Sequence, residues 1–257
     1  MPSRLDTFNR TALLTGISTL ERFNTSRVII FGLGGVGSWA AETLVRSGFT
    51  HLTLVDADRV ATSNINRQLP ATSLTVGEIK VDAMKKRLLE INPDADITAI
   101  HDFYNAATQD SYPLTDFDVI IDAIDSLADK ALLILNATRA MAETANAPRK
   151  VRFYSSMGAA LKTDPSRIAV AEFWKVKGCP LAAALRRKFK KSATYPAKKF
   201  KSVYSDELVA NHPDATQLTD TSGAMTFNKV AVNGAFMHIT AIFGITLASL
   251  AIRDLMD

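Results

Sequence analysis

The chain has 257 residues, 47% of them hydrophobic, with 30 basic and 26 acidic side chains. That length and apolar fraction exclude a disordered polymer and suit one large α/β domain or a domain with an appended lobe. A single cysteine excludes an internal disulfide and the usual cysteine-built zinc centres, so no structural zinc is expected.

Residues 1–26 read as a helical arm, with helix over about 5–22. Its apolar positions, Leu5, Phe8, Leu13, Leu14, Ile17 and Leu20, form a face that must be buried somewhere. The first residues lack the apolar core of a secretory signal, which implies a cytoplasmic protein. Residues 27–157 then alternate between two periods. Strands are predicted near 27–32, 51–56, 96–101, 117–122 and 151–157, and helices near 36–47, 77–91 and 126–146. This predicts an α/β, Rossmann-like core with a largely parallel sheet and helices on both faces.

Residues 158–257 read as a C-terminal lobe of the same single domain. The stretch 167–174 alternates like an antiparallel strand, and a helix over 181–191 leads into a basic loop. The run 230–252 carries no Asp, Glu, Lys or Arg and is long enough to cross a bilayer. Asn233, Gly234, Thr240, Gly244, Thr246 and Ser249 interrupt it, so burial against the sheet or a partner subunit is favoured over membrane association.

The most informative motif joins the first strand to the first core helix. Gly32, Gly34 and Gly37 follow the β-branched run Val28-Ile29-Ile30 and open an apolar helix. Gly32 permits a tight turn, Gly34 and Gly35 let backbone approach an anion, and Gly37 lets helix and strand pack closely. Free N–H groups at the helix start favour phosphate. Asp56 ends the second strand, 19 residues past Gly37, where a carboxylate accepts from a ribose. This predicts a nucleotide site without naming the nucleotide.

After Asp56 comes a polar loop with Asp58, Asn64, Asn66, Arg67 and Gln68, longer than an ordinary strand–helix turn. Lys80 follows in the early turns of the next helix. Two extra cations suit a triphosphate, where charge develops at phosphorus. By composition alone, Arg67 and Lys80 read more readily as solvated surface charges than as phosphate ligands. Asp122 reads as a helix N-cap and Trp39 as core.

The second informative feature is segment 173–205. It holds ten Lys or Arg and no Asp or Glu: Lys175, Lys177, Arg186, Arg187, Lys188, Lys190, Lys191, Lys198, Lys199 and Lys201. The rest of the chain has 20 basic against 26 acidic residues, so the positive charge is concentrated. Such a segment attracts a polyphosphate backbone. Phe189, Tyr195 and Phe200 are interleaved and offer rings for stacking on unpaired bases. A solvated loop and a patch for anionic lipid are the competing readings.

Further marks turn these patterns into a resemblance. Gly32, Gly34, Gly35 and Gly37, then Val55-Asp56 with Asp58, Ser63-Asn64 with Asn66-Arg67-Gln68, Val76-Gly77 with Lys80, and Ile91-Asn92-Pro93 are similar to the ubiquitin-activating-enzyme-like superfamily, whose members adenylate a carboxylate with ATP. Within it the chain resembles the bacterial tRNA threonylcarbamoyladenosine dehydratases. The marks for that group are Asp122-Ala123-Ile124-Asp125-Ser126, Ser155 to Ala160, Asp164-Pro165, Pro180 to Ala183, and Tyr204-Ser205 with Glu207. One position departs from the group: an acidic residue usually precedes Pro180, and here it is Cys179.

The resemblance implies ATP-dependent cyclisation of threonylcarbamoyladenosine beside the anticodon, through an acyl-adenylate and with release of AMP. It implies that Gly34 and Gly35 face the phosphates and that Asp56 binds the ribose. Asn64, Arg67 and Lys80 contact the polyphosphate, and Asp125 holds Mg2+. Arg10 reaches into the partner's site in a homodimer. It assigns the basic segment to tRNA rather than DNA, leaving a monovalent cation and a sulfur-transfer partner open. An adenylyltransferase for a small ubiquitin-like sulfur carrier shares every ATP motif, but such relatives typically carry two Cys-x-x-Cys pairs absent here. A nucleotide-binding redox protein and a non-catalytic tRNA-binding factor are the readings from other classes.

Overall fold

The structure, a computed structural model, describes residues 4–215 and 233–256. The first residues of the 230–252 run lie outside it. The arm is three short helices, α1 (Arg4–Thr7), α2 (Asn9–Thr15) and α3 (Ile17–Thr25). It divides its apolar residues in two. Phe8, Leu20 and Phe23 are buried, with Phe23 stacked on Phe49 at 4.7 Å between ring centroids. Leu5, Leu13, Leu14 and Ile17 point outward, Leu13 and Leu14 at 86% and 83% exposure.

The sheet has seven strands: β1 (Arg27–Phe31), β2 (His51–Val55), β3 (Asp96–Ile100), β4 (Val119–Asp122), β5 (Arg152–Ser156), β6 (Ile168–Glu172) and β7 (Lys201–Ser205). Their order is β3-β2-β1-β4-β5-β7-β6, parallel except for β6, which runs antiparallel to β7 at one edge. The helices are α4 (Gly37–Arg46), α5 (Lys80–Ile91), α6 (Leu127–Glu143), α7 (Pro180–Ser192) and α8 (Met237–Met256). The central strand shows why both faces are covered. Val28 and Ile30 enter one apolar cluster with residues of α4, α5 and α8. Ile29 and Phe31 enter the opposite cluster with residues of α6 and α7. A near-continuous apolar strand is what such a sandwich requires.

Three sequence expectations need correction. The basic stretch after α7 is not loop throughout, because Lys201–Ser205 is β7, inserted between β5 and β6. The helix expected from 77 begins at Lys80, since Gly77 lies at φ +93° and Ile79 bridges to Arg59 instead. Asp122 caps no helix: Ser126 is the N-cap of α6, accepting from the Asp129 N–H. Asp122 is fully buried, 2.8 Å from the equally buried Lys130 Nζ, and accepts from Ser155 Oγ at 2.6 Å. Lys130 also donates to the Ile124 carbonyl at 2.9 Å, so the pair pins the β4–α6 turn. Removing one member would strand a buried charge, at a cost of about 3–5 kcal/mol.

α8 is the one described helix long and apolar enough to cross a membrane, with mean hydropathy 1.6. It packs on α4, α3, β5 and β7. Gly244 makes this approach possible: a side chain there would start 2.8 Å from Trp39 Cβ and 2.9 Å from the Ala40 nitrogen.

Candidate active site

The carboxyl ends of β1, β2, β4, β5 and β7 share one edge of the sheet, the edge where open α/β folds bind ligands. The glycine turn sits there. Gly32 has φ +87°, and a side chain on it would begin 2.8 Å from the Ala123 carbonyl oxygen. The β1–α4 and β4–α6 turns therefore abut through backbone. Among the described residues, the N–H groups of Gly34, Gly35 and Val36 find no backbone acceptor. With the start of α4 behind them, they form an anion cradle. Gln68 is buried beside it, its Nε2 3.8 Å from where a Gly34 side chain would start, and its Oε1 has no partner. A cradle with open donors and an orphaned amide fits a nucleotide.

Asp56 stands at the end of β2, as the spacing predicts. Its carboxylate accepts from the Leu33 N–H at 2.6 Å and the Asp58 N–H at 2.9 Å, which ties it to the glycine turn. Lys80 is not a solvated charge. Its side chain is 3% exposed and its Nζ lies 3.3 Å from Asp56 Oδ1 and 3.0 Å from Asp58 Oδ2. Arg67 sits against Gly35, its Cγ 3.2 Å from the Cβ position there. Its guanidinium donates to Ser63 O and Asn66 Oδ1, both at 2.9 Å. Trp39, half-buried rather than wholly core, donates its indole N–H to the Arg67 carbonyl at 3.2 Å. Asn64 is buried and accepts from the Ala61 N–H at 3.1 Å, bracing the loop. Asp125 is exposed on the β4–α6 turn.

The structure thus brings together Gly32, Gly34, Gly35, Gly37, Asp56, Asn64, Arg67 and Lys80, with Asp125 on the adjoining turn. It does not bring Arg10 to them. Arg10 is exposed on α2 and makes no hydrogen bond or ion pair among the described residues.

Sequence reasoning missed a second wall at the same edge. Leu161, at φ +58°, shapes the loop after β5, and its N–H donates to the Gly234 carbonyl at 2.9 Å. His238 Nε2 meets the Thr163 carbonyl at 3.1 Å, and Asn66 Nδ2 donates to Ala235 O at 3.0 Å. The segment 233–240 therefore ties the loop carrying Arg67 to the loop carrying Thr163. Glu207 anchors the latter. The Asp164 N–H at 2.9 Å, with the Thr163 hydroxyl and N–H, holds its carboxyl down at about 2. Buried Lys162 donates to the Glu207 carbonyl, and burial lowers its pKa against the pull of Cys179, Glu207 and Asp206. Glu207 stood among the resemblance marks. Lys162 carried no signal beyond being a lysine that follows the apolar run Ala159-Ala160-Leu161.

The basic segment is less uniform than its composition. Phe189 and Phe200 are buried, packed around Phe173, so neither is available to a base. The reason is amphipathicity: Ala182, Leu185 and Phe189 form the inward stripe of α7. Arg186 donates to the carbonyls of Phe173 (3.2 Å) and Val176 (2.9 Å), and Lys201 pairs with Asp254 at 2.9 Å. These two cations are structural. Arg187, Lys188, Lys190, Lys191, Lys198 and Lys199 are exposed. Cys179, at the start of α7, is buried.

Comparison with known proteins extends this picture. A ThiF family model matches residues 8–256. The tRNA threonylcarbamoyladenosine dehydratase of Haemophilus influenzae is 36% identical over 243 residues, covering 93% of this chain and 88% of its own length. The crystal structure of E. coli tRNA N6-threonylcarbamoyladenosine dehydratase in complex with ATP superposes with a TM-score of 0.82 at 32% identity, covering 98% of this chain and 94% of that one. The E. coli molybdopterin-synthase adenylyltransferase is 35% identical, but over only 123 residues, 47% of this chain.

Proposed function

This chain belongs to the ThiF family, and we propose that it is an ATP-dependent tRNA threonylcarbamoyladenosine dehydratase. The observation that carries the reading is the extent of the likeness. It runs through both halves of the chain and almost the whole of the relative solved with ATP. The likeness to a sulfur-carrier adenylyltransferase covers less than half of the chain. Purified protein given ATP and tRNA bearing threonylcarbamoyladenosine should release AMP and pyrophosphate and lower the mass of the modified nucleoside by one water. Release of AMP only with a ubiquitin-like carrier would refute the assignment.

The geometry supports a two-step course. The open N–H groups of the glycine turn receive the triphosphate, with Asp56 at the ribose. The threonyl carboxylate attacks the α-phosphorus and pyrophosphate leaves. Arg67 and Lys80 stand at the turn to meet the charge that develops, and Arg10 is supplied by the other subunit of a homodimer. A nitrogen or oxygen of the same side chain then attacks the activated carbonyl and AMP departs. The nucleophile is tethered, so no enzyme thiol is needed. No group of three metal-ligating side chains gathers among the described residues. A single carboxylate, Asp125, suits a Mg2+ that arrives on the nucleotide, which takes one or two protein carboxylates. The ion would supply charge neutralisation at the phosphates.

Burial of Cys179 supports direct closure over a thioester. Cys179→Ser is therefore expected to keep most of the dehydratase activity; complete loss with ATP and tRNA binding intact would reinstate covalent catalysis. The exposed cations of α7 are assigned to the tRNA backbone. Replacing Arg187, Lys188, Lys190 and Lys191 together should weaken tRNA binding, leave ATP affinity nearly unchanged, and flatten the salt dependence. An unaltered salt slope would make α7 a bystander. A cytoplasmic location follows from the tRNA substrate.

A further inference from the structure

We infer that Trp174 and Tyr195 together form a stacking platform for an unpaired base of the tRNA. The inference rests on the tRNA reading above and extends it to two residues outside the charged set. Burial of Phe189 and Phe200 removes the rings that the sequence offered for stacking. It leaves a different pair. Trp174 and Tyr195 are 37% and 55% exposed, with centroids 6.2 Å apart and planes 43° from parallel.

The pair is held by the structure beneath it. Trp174 lies edge-on to buried Phe173 at 5.3 Å, and Phe173 is stacked on Phe200 at 5.0 Å. Arg186 braces the short helical turn Phe173–Lys175 from α7 by donating to the Phe173 carbonyl and to that of Val176 just beyond it, and by lying 5.9 Å over the Phe173 ring. On the other side, α7 ends on Ala193 in the left-handed region at φ +52°, and the Thr194 N–H returns to Phe189 O at 3.2 Å. That reversal carries Tyr195 back toward Trp174. The Ala197 N–H, donated to Thr138 Oγ1 at 3.0 Å, fixes the chain beyond it.

Charge chooses the occupant. Lys175 and Lys177 flank Trp174 in sequence, and Lys198 and Lys199 follow Tyr195. Lys190 lies one helical turn past Arg186 and is exposed. No acidic residue occurs from 173 to 205; the carboxylate nearest Trp174 in sequence, Glu172, is engaged by the Trp174 backbone N–H at 3.2 Å. Aromatic faces framed by cations are the means by which proteins hold single-stranded nucleic acid, whereas a duplex presents no free base face.

The test is a binding titration of the full chain with an unmodified anticodon stem-loop RNA, and in parallel with a blunt-ended RNA duplex of the same number of nucleotides. Trp174→Ala and Tyr195→Ala are each expected to weaken stem-loop binding roughly five- to a hundredfold. The salt slope should not change, because a ring releases no counterions. Trp174→Phe and Tyr195→Phe should recover most of the affinity. The duplex should be insensitive to all four changes. Tyr195 is exposed enough that its alanine variant should melt with the wild type, which keeps the test clear of misfolding. Unchanged stem-loop affinity in both alanine variants would overturn the platform. So would an equal loss on the duplex, or loss of binding to phosphatidylserine vesicles with RNA binding retained. A chain that binds the stem-loop through these rings yet forms no AMP on modified tRNA would overturn the dehydratase reading and leave the platform standing.

Discussion

Lys80→Ala, Arg67→Ala and Asp125→Ala are each expected to lower AMP release by two to three orders of magnitude. Loss of one charged contact to the transition state typically costs about 3–4 kcal/mol, and each 1.4 kcal/mol is a factor of ten in rate. The three variants should differ in how they fail. Asp125 lies on an exposed turn outside the core, so its loss should lower the melting temperature less than loss of buried Lys80. Lys80 is held between Asp56 and Asp58 in a largely buried position. Its removal leaves two facing carboxylates without their cation, so Lys80→Ala should also melt earlier and bind ATP less well. Arg67 should fall between them, since its guanidinium braces its own loop. AMP formation close to wild type by folded Lys80→Ala and Asp125→Ala would remove these residues from the chemistry.

The second large effect concerns assembly. Arg10 and the exposed Leu13, Leu14 and Ile17 lie on the outer side of the arm. If a two-fold partner covers that face and receives Arg10 in its own site, Arg10→Ala and Asp125→Ala homodimers should both be inactive. Mixed in equal amounts and allowed to exchange, they should regain activity. In each heterodimer one site inherits both lesions and the other inherits neither. Random pairing makes half of all dimers heterodimers, so about a quarter of the sites should work. Demonstrated exchange without recovery would place Arg10 in its own chain's site or outside the reaction.

The glycine turn, Asp56 and the alternation of strand and helix were legible in the sequence because each follows from a strict backbone requirement. Only glycine tolerates φ +87° with a carbonyl so near, and a strand buried on both faces must be apolar almost throughout. Lys80 and Lys130 were opaque for the opposite reason. A lysine in an early helical turn reads as surface, and only tertiary structure reveals the carboxylates that bury it. The basic segment misled through composition. Ten cations conceal the spacing of Ala182, Leu185 and Phe189, which assigns Phe189 to the core. They also conceal β7, where two of the three buried residues, Ser202 and Ser205, carry no apolar signal.

The position of α8 has a consequence for the order in which the enzyme becomes competent. Every glycine of the phosphate turn, and Asp56, Arg67, Lys80 and Asp125, precedes residue 130. Yet the helix behind the turn is clamped from the far end of the chain. Gly244 lies against Trp39 and Ala40, Thr240 stands 3.0 Å from the Gly35 Cβ position, and Ile239, Phe243 and Leu247 fill the cluster shared with β1 and α4. A growing polypeptide therefore presents the whole nucleotide signature long before it can hold the cradle rigid. ATP capture is expected only once α8 is in place, so ribosome-stalled products ending before Met237 should retain no ATP.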